Sequence, residues 1–580
     1  MTGAAPLDAA RAEPSDTPRA ATLADLDVLV VDCQATGASP AFGRVLELGW
    51  GVVRGGRAPF TGEAHWIALP DGHVVPSEVR KLTGYEPAFA ALAIADRDAW
   101  ARLRNATAAG RAVPTAIHYA RFELAFLREW AARFEPDAPF PFDPVCVHAV
   151  ARRLYPDLPR QTIRALAGYL GYSLDLTRRA LGHVEATAFV WQRLCGELAA
   201  RGVTTWPELQ AFLATRASSP PRSQKPKYPI APERYRSLPD APGVYRFLRK
   251  NGDVLYVGKA ASLKKRTSSH FVGRAQKALA PEMLTQVSEI AVTVVASALE
   301  AALLENETIK ALAPPYNVQL TASDASVWYA ARDFESAAVT PSERHGVGPV
   351  PAEYSLRPLA ALSALIAGAT PTASLRSDAV GVSALFTPDE SVFLAGWAEL
   401  AARHRELGAA GAAHPRKSAL ALARRLLGAT SAKADDEHAG ETASTDAADR
   451  SWDPARVARH VERAAAQAFR AYRRAHFLRL LHESDVVFRE PEAAEARLLR
   501  VRSGHVIDAR TLTSAHVPAG RVRPRGSLAP PHFDRATYDR LRILTTELKR
   551  IVRDGGSVAV HFGPHRRLAE RSVAAVLGVV

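Results

Sequence analysis

Residues 242–259 have the sequence PGVYRFLRKNGDVLYVGK, and this stretch determines the predicted fold of the residues around it. Apolar and polar residues alternate with a period of two on both sides of Asn251-Gly252. That pattern predicts a β-hairpin with a tight turn, because Gly accepts the positive φ that such a turn requires. Tyr245 and Tyr256 would then stand on paired strands.

The residues after the hairpin predict a helix, a strand and a second helix. Ala261 to His270 forms a basic helical segment, Ile290 to Val295 is strand-like, and about Ala298 to Leu312 is helical. Placed at 100° per residue, one face of the second helix is apolar and includes Glu305. The apolar members of that face are Leu299, Ala302, Leu303, Ile309 and Leu312.

A carboxylate on an apolar face is costly unless a cation meets it. One interpretation of Glu305 is a structural ion pair with Lys259 or Arg266. The other is catalytic, because two tyrosines, an Arg, a Glu and the nearby Asn317 supply a general base, a cation and an oxygen ligand for a hard divalent ion. Together these groups favour phosphodiester hydrolysis.

This combination resembles the GIY-YIG nuclease domain of the UvrC and Cho excinuclease type over about eighty residues. Six motif positions are filled by matching residues, namely Tyr245, Tyr256, Lys259, Arg266, Glu305 and Asn317.

The resemblance implies a role for each of these residues. Glu305 would hold one Mg²⁺ or Mn²⁺, Tyr256 would help activate a water and Tyr245 would position it. Arg266 with Lys259 would stabilise the pentacovalent phosphate. His270 departs from the family pattern, which usually has Tyr there. The expected nucleic-acid contacts of this region are Lys264, Lys265 and His270.

A second domain is predicted at the N-terminal end of the chain. An apolar run from Leu26 to Val31 leads into Asp32, and strand-like and helical segments alternate through Ala200. This alternation predicts an α/β domain with a central sheet. From Leu23 to Ala200 it resembles the DnaQ-like exonucleases, which include the epsilon subunit of DNA polymerase III, and the resemblance implies an RNase H-like fold.

The exonuclease site residues match that family poorly. The first carboxylate of the family is present as Asp32, but the second carboxylate position holds Gln34, and Glu123 occupies a position where Asp is usual. The position of the general base is occupied by Arg178, and that of the last carboxylate by His183. Two lost carboxylates should weaken binding of two Mg²⁺ ions. An Arg near Asp32 could pair with it and turn the metal site into an ion pair, so we expect a degenerate scaffold that still binds DNA. A His183-assisted Mn²⁺ or Zn²⁺ site is the alternative.

Composition favours a polyanionic partner. The 580 residues carry a net charge of +14, although a genome rich in Arg codons would also produce this excess. Three cysteines without paired spacing exclude a zinc ribbon or disulfide framework and favour a reducing cytoplasm. No apolar run reaches membrane-spanning length.

The predicted architecture is a multidomain α/β chain with a mostly helical C-terminal region. A helix opens at Asp453-Pro454, a hairpin spans Leu498 to Val506, and a last helix spans Asp534 to Arg553. The predicted segments are a disordered leader 1–22, the exonuclease-like domain 23–200, a linker 201–236, the GIY-YIG domain 237–320, a mostly helical region 321–429, a disordered linker 430–451 and the C-terminal region 452–580.

The functional expectation is a cytoplasmic DNA repair nuclease that nicks damaged or branched duplex DNA, with the exonuclease-like domain positioning the substrate. One alternative is that both domains are active, so that 3′–5′ exonuclease action follows the nick. Another is a non-catalytic DNA-binding scaffold. An excinuclease partner protein is a further expectation.

Overall fold

The computed structural model describes most of the chain, in two compact units. The units comprise 1–294 with 312–318, and 295–311 with 319–580. The described ranges are 21–54, 57–106, 112–173, 179–215, 227–272, 280–317, 326–382, 386–404, 413–430, 451–512, 531–562 and 566–568. Nearly all of the predicted leader and of the predicted linker 430–451 lies outside these residues.

A five-stranded sheet forms the centre of the N-terminal domain. In spatial order its strands are Arg57–Trp66, Val45–Arg54, Asp27–Ala35, Val113–Ile117 and Phe142–Cys146. Strand Asp27–Ala35 pairs antiparallel with one neighbour and parallel with the other. Val28 and Val30 enter one apolar core while Leu29 and Val31 enter another. Both faces are therefore buried, as the continuous apolar run predicts.

Helices cover both faces of this sheet. The longest, Ala180–Ala199, packs across its antiparallel strands. The others are Ser77–Thr83, Asp96–Asn105, Ala120–Phe134, Val147–Leu154 and Ile163–Leu170, with a 3-10 turn at Pro87–Leu92. The predicted α/β class with a central sheet is confirmed for this domain.

The first part of the predicted linker is folded. Trp206–Ala214 is a helix that begins with a capping box between Thr205 and Glu208. Trp206 is buried in the core of the N-terminal domain, and its indole N–H donates to Asp143 at 2.9 Å. The predicted boundary at Ala200 is therefore wrong, because this helix completes the N-terminal core.

The end of the predicted linker also belongs to a folded core. Pro232–Arg236 is a short helix, and its Tyr235 is buried and stacked on Phe271 with ring centroids 4.7 Å apart. Between the two helices, residues 216–226 lie outside the described part of the chain.

The small domain after these residues confirms the predicted hairpin. Strands Gly243–Leu248 and Val254–Ala260 pair antiparallel, with Gly252 at φ +90° in the turn. Strand Glu289–Val294 pairs with the other edge of Gly243–Leu248, and helices Leu263–Val272 and Ala280–Thr285 cover the sheet. Helix Leu263–Val272 and strand Glu289–Val294 fall within two residues of their predicted bounds.

A nearly buried carboxylate joins the two domains of the first unit. Glu282 accepts hydrogen bonds from Arg164 at 3.2 Å and from Thr162 at 2.9 Å, both in the N-terminal domain. On the nuclease-like side, the Tyr316 hydroxyl donates to Glu282 at 3.0 Å. Arg164 and Glu282 expose only 7% and 12% of their side chains. Because these two charges have little access to water, separating them would leave each one buried without a counter-charge, at a high cost in free energy.

Gln286 and Arg249 extend this interface. Gln286 donates to the Tyr316 hydroxyl at 2.7 Å and accepts from the buried Arg249 at 3.0 Å. Arg249 also donates to Ser173 of the N-terminal domain at 3.0 Å. A Cβ on Gly168 would overlap the Gln286 side chain, so the close approach here requires glycine.

The second unit contains a helical layer around one long helix, Pro454–Leu481, which is capped by the predicted Asp453. Packed near it are Arg357–Ile366, Ala373–Val380, Glu390–Arg403 and Pro415–Thr430. A small sheet of Ala337–Ala338, Trp328–Ala330 and Val347–Val350 precedes these helices. The mostly helical prediction for this region agrees with the structure.

A five-stranded antiparallel sheet follows the long helix. In spatial order it contains His505–Leu512, Ala496–Arg502, Ser484–Arg489, Ser557–Phe562 and Arg566–Leu568, with helix Arg535–Arg553 beside it. The predicted hairpin is present as two of these strands. The prediction missed the central strand Ser484–Arg489, whose Val486 and Phe488 are buried, because a six-residue strand directly after a long helix carries little periodic signal.

The helix that carries Glu305, Ala298–Leu312, packs within the second unit. Three ion pairs fasten it to the C-terminal sheet and helix, namely Glu300–Arg497 at 2.6 Å, Lys310–Asp539 at 2.7 Å and Glu307–Arg540 at 3.2 Å. None of the described helices is long and apolar enough to cross a membrane.

Replacing Glu282 by alanine should destabilise the first unit by about 3 kcal/mol, because Arg164 would keep its burial and lose its counter-charge. Urea denaturation of the full chain measures this free energy of unfolding. The matched control is Glu78→Ala, which breaks an ion pair whose side chains are 73% and 77% exposed and should cost under about 1 kcal/mol. Equal losses in the two variants would contradict the role of Glu282.

Candidate nuclease sites

Tyr245 lies at the centre of the small domain and is completely buried. Its hydroxyl oxygen is 2.8 Å from Nε2 of His270, which projects from helix Leu263–Val272. The Tyr256 ring is close to it, with centroids 6.1 Å apart. The structure therefore brings together both predicted tyrosines and the His that replaces the usual Tyr.

Burial, and secondly the positive charge of Arg266, lower the pKa of His270 to about 4. The imidazole is thus neutral near pH 7. With its proton on Nδ1, Nε2 can accept a hydrogen bond from the Tyr245 hydroxyl. His270 was predicted to contact nucleic acid, whereas its ring nitrogen is directed at Tyr245.

Gly258 has a steric role beside the buried tyrosine. A Cβ at this position would overlap the Tyr245 hydroxyl, and it would lie 2.9 Å from the Tyr256 ring. The glycine after Tyr256-Val257 therefore makes room for the hydroxyl that bonds to His270.

Asn317 acts on the backbone of the second hairpin strand. Its Oδ1 accepts from the Val257 N–H and its Nδ2 donates to the Val257 carbonyl, both at 2.9 Å. Its side-chain amide thereby imitates a neighbouring strand and holds the backbone between Tyr256 and Gly258. Its neighbour Tyr316 belongs to the Glu282 network.

The predicted cations of the small domain are all exposed. They are Lys259, Lys264, Lys265 and Arg266. Lys265 approaches Asp240 at 3.9 Å, a distance typical of a weak surface ion pair. Cations in this state keep their hydration and can exchange it for phosphate oxygens.

Glu305 is partly exposed on its helix in the second unit. The apolar face predicted around it is confirmed at Leu299, Leu303 and Ile309, which are buried. Leu312 is 45% exposed instead, because it is the last residue of the helix. A partly hydrated carboxylate suits Mg²⁺ or Mn²⁺, which binds hard oxygen and keeps several waters.

The exonuclease-like domain gathers three of its predicted site residues. Oδ1 of Asp32 is 3.3 Å from Nδ1 of His183, and Oδ2 accepts from Gln34 at 2.8 Å. Gln34 Nε2 is 3.5 Å from the same His183 nitrogen. Both oxygens of Asp32 are thus engaged by neutral or titratable nitrogen groups.

Glu123 is buried beside this cluster. Burial, and then the negative charge of Asp32, raise the pKa of Glu123 well above its ordinary value. Its Oε2 has no hydrogen-bond partner among the described residues. Glu123 therefore lies where its negative charge is costly unless a proton or a cation is present.

The fifth predicted position, Arg178, lies outside the described residues. Its neighbour Arg179 forms a bidentate ion pair with the buried Glu47, with a closest distance of 2.8 Å. Glu47 also accepts from the backbone N–H of Ala180, the first residue of the long helix. This pair anchors the helix that presents His183.

Sequence reasoning missed three neighbouring rings that follow two strands of the central sheet, those of His118, Tyr119 and His148. His118 is buried, Tyr119 is stacked on His148, and none of them was predicted as a site residue. The only sequence signal was their place directly after a buried strand, where site residues often occur. In the described part of the chain, no three His, Cys, Asp or Glu side chains are arranged as a metal centre.

Residues 241–318 match the family model described as a UvrC-like GIY-YIG domain. This match confirms the predicted GIY-YIG domain and the predicted enzyme class, a nuclease.

The relatives cover parts of the chain. MT2247 of Mycobacterium tuberculosis, provisionally named a bifunctional exonuclease/endonuclease protein, is 31% identical over 370 residues, which are 60% of this chain and 53% of that protein. The chain therefore spans about half the length of this relative. Its name agrees with an exonuclease-like N-terminal domain.

Two groups of solved structures are similar to separate parts of the chain. The magnesium-bound GIY-YIG domain of UvrC from Thermotoga maritima is 34% identical and covers 15% of this chain and 93% of its own, with a TM-score of 0.14. The E. coli ExoI–ssDNA complex in its zinc-bound form is 16% identical and covers 32% and 42%, with a TM-score of 0.27.

We expect Glu123→Gln to reduce the loss of folding stability that occurs as the pH rises. Because the folded-state pKa is raised, this residue contributes most stability below its ordinary value of 4.5 and loses that contribution as pH rises through the folded pKa. In EDTA, the parent should melt at progressively lower temperature from about pH 5 upward, and the Gln variant should decline less. Glu129→Gln, an exposed change on the same helix, is the control; a decline as steep in Glu123→Gln as in that control would contradict the raised pKa.

Proposed function

We propose that this chain is a DNA repair nuclease whose GIY-YIG domain nicks damaged or branched duplex DNA. The observation that carries the proposal is the buried Tyr245–His270 hydrogen bond inside the region that matches the UvrC-like family. A buried tyrosine bonded to a neutral imidazole provides a proton path at the position where the family has its first motif tyrosine.

In this proposal the tyrosines act on the attacking water and the cations act on the phosphate. Tyr256 would help activate the attacking water, while Tyr245, held by His270, would position it. Exposed Arg266 and Lys259 would stabilise negative charge that develops on the phosphate. Asn317 would position Tyr256 through the Val257 backbone instead of contacting substrate.

Glu305 is the residue that would hold Mg²⁺ or Mn²⁺. Such an ion supplies charge neutralisation at a phosphoryl oxygen. The exposed lysines Lys264 and Lys265 would contact the DNA backbone, which agrees with the net charge of +14. Glu305 would be catalytic through the ion that it binds.

The exonuclease-like domain would position the substrate. We propose that this domain extends to Ala214 and has a DnaQ-type, RNase H-like topology with a degenerate site. The specific support is the occupation of both Asp32 oxygens by Gln34 and His183. The second candidate function, a 3′–5′ exonuclease beside the nicking activity, is favoured by the name of MT2247.

The cellular setting is also a proposal. Three free thiols agree with a protein that functions in the reducing cytoplasm, namely those of Cys33, Cys146 and Cys195. A UvrC-like domain suggests that an excinuclease partner protein delivers the lesion, in nucleotide excision repair or a related process.

Glu305→Ala should abolish nicking, because the only carboxylate at a motif position of the GIY-YIG domain is lost. The assay uses a duplex with one bulky adduct, labelled separately at each end, in Mg²⁺ and then in Mn²⁺. Glu289→Ala, an exposed substitution in the same domain match, and Asp32→Ala serve as controls and should nick normally. Retained nicking in Glu305→Ala would remove this mechanism, whereas a 3′ ladder that is lost in Asp32→Ala would favour the exonuclease alternative.

The nicking rate should show no inflection near pH 6.5 from His270, because its pKa is about 4 and it stays neutral from about pH 5 upward. His270→Phe keeps a ring but removes the acceptor for Tyr245, and should slow nicking about 100-fold. Single-turnover rates across pH measure both effects. His532→Phe, an exposed substitution, is the control. A rate limb near pH 6.5 that vanishes in His270→Phe would contradict the neutral imidazole.

A further inference from the structure

Five arginines lie along one face of the long helix Pro454–Leu481 in the second unit. At 100° per residue they fall within about 60° of one another around the helix axis. They are Arg456, Arg459, Arg463, Arg470 and Arg474, which we call the arginine stripe. Arg459, Arg463 and Arg470 are exposed, and the other two are half-buried. The stripe is therefore a row of positive charge that faces solvent.

The opposite face of the helix fixes this orientation. Val457, Val461 and Ala468 are buried in the apolar core of the helical layer. These positions lie on the far side of the helix from the stripe. Turning the arginines away from solvent would expose this core to water, so packing of the core holds them at the surface.

The charge of the exposed arginines is not neutralised by the protein. The helix carries seven arginines and a single acidic residue, Glu462. That carboxylate is paired with Arg403 of helix Glu390–Arg403 at 2.6 Å. In the part of the chain that the structure describes, the three exposed arginines of the stripe form no ion pair.

A second basic helix of the same unit behaves differently. In helix Arg535–Arg553, Arg535 pairs with Asp539 at 3.2 Å and Arg550 pairs with Glu547 at 2.8 Å. A high arginine content therefore does not by itself leave a helix unneutralised. Like charges one turn apart are destabilising, so a row of unpaired arginines is expected where an anionic partner offsets their repulsion.

The adjacent helix strengthens the positive field of this layer. Helix Pro415–Thr430 packs against the long helix and contains no Asp or Glu. Its Arg416, Lys417 and Arg424 are exposed. A cluster of cations without carboxylates attracts a polyanion and raises its local concentration.

The chemistry and shape of the stripe fit the backbone of duplex DNA. Arg456 and Arg474 are about 27 Å apart along the helix, at a rise of about 1.5 Å per residue. Duplex DNA carries one negative charge for about every 1.7 Å of its axis and is stiff over this length. A guanidinium group is always charged and can donate two hydrogen bonds to one phosphate. A straight row of such groups can contact several phosphates without either partner changing shape.

Two other polyanions fit the stripe less well. Unpaired strands are bound by stacking their bases on aromatic rings, whereas Phe469 and Phe477 of this helix are buried and Tyr472 lies away from the stripe. A flexible acidic segment of a protein would have to be ordered along the helix, at a cost in conformational entropy. The stiff duplex avoids that cost.

We propose that the arginine stripe is a contact site for the phosphate backbone of duplex DNA. It binds the duplex through phosphates, so it reads neither base sequence nor damage and holds undamaged DNA equally well. The inference rests on the proposed function in one respect, namely that the chain acts on DNA.

The test measures binding of the full chain to an undamaged, fluorescein-labelled duplex by anisotropy, in EDTA and over a series of salt concentrations. The variant replaces the three exposed arginines of the stripe, as Arg459→Gln, Arg463→Gln and Arg470→Gln. Loss of three phosphate contacts should reduce the slope of log affinity against log salt by about 2.7. Glutamine has a helix propensity close to that of arginine, so the melting temperature should change little.

Two matched variants separate the stripe from net charge alone. Arg332→Gln, Arg344→Gln and Arg489→Gln together remove the same charge from exposed arginines of the second unit that lie on no helix and form no ion pair with a described residue. This control should keep the slope of the parent. Replacing the three arginines of the stripe by Lys retains their charge and should also keep most of the slope.

Three results would overturn the proposal. They are an unchanged slope in the Gln variant of the stripe, an equal reduction in its control, and equal displacement of the labelled duplex by polyglutamate and by unlabelled duplex at the same concentration of charge. The last result would indicate an acidic protein as the partner. If the triple variant does not fold, Arg463→Gln alone decides the question, with an expected reduction of the slope by about 0.9.

These measurements are independent of nicking. The duplex carries no lesion and EDTA removes the divalent ions, so an unchanged slope would leave the Glu305→Ala prediction standing. A parent chain that does not nick would equally leave the test of the stripe intact.

Discussion

The first unit depends on one nearly buried carboxylate, that of Glu282. Burial would make this charge very costly alone, and the contacts of Arg164, Thr162 and Tyr316 offset that cost. The network also has a geometric consequence, because Tyr316 precedes Asn317, which holds the Val257 backbone. A salt bridge between domains is therefore linked by consecutive contacts to the strand that carries Tyr256.

Burial has a different effect on the neighbouring histidine. His270 has no carboxylate partner in its described contacts, so desolvation lowers its pKa and the imidazole stays neutral. Only in that state can Nε2 accept a hydrogen bond from Tyr245. In the family pattern a Tyr stands at this position, and its hydroxyl can act as either donor or acceptor. A His at this position therefore preserves a hydrogen-bonding group and supplies a neutral acceptor for the Tyr245 hydroxyl.

Local patterns in the sequence predicted local structure well, and long-range partners poorly. The hairpin around Gly252 and the helix of Glu305 could be read from periodicity and turn chemistry. The sequence predicts a linker where helix Trp206–Ala214 lies, because the place of this helix in the core depends on a contact between Trp206 and Asp143, which are distant in sequence. In the C-terminal sheet the predicted hairpin is present, and the central strand Ser484–Arg489 was missed because a short strand after a long helix carries little periodic signal. Family resemblance identified the candidate site residues, but no sequence pattern could show that His270 bonds to Tyr245 or that Tyr119 stacks on His148.

The two carboxylate environments explain why the chemistry is assigned to one domain and substrate contact to the other. Glu305 is partly hydrated and can present an anionic oxygen to a hard cation, while Glu123 is buried beside Asp32 and favours its neutral form. Adding Gln34 and His183 around Asp32 replaces negative ligands with nitrogen groups, which lowers the affinity for Mg²⁺. The same replacement lowers electrostatic repulsion of a DNA strand. We propose that a site with fewer negative ligands holds the phosphate backbone without cleaving it.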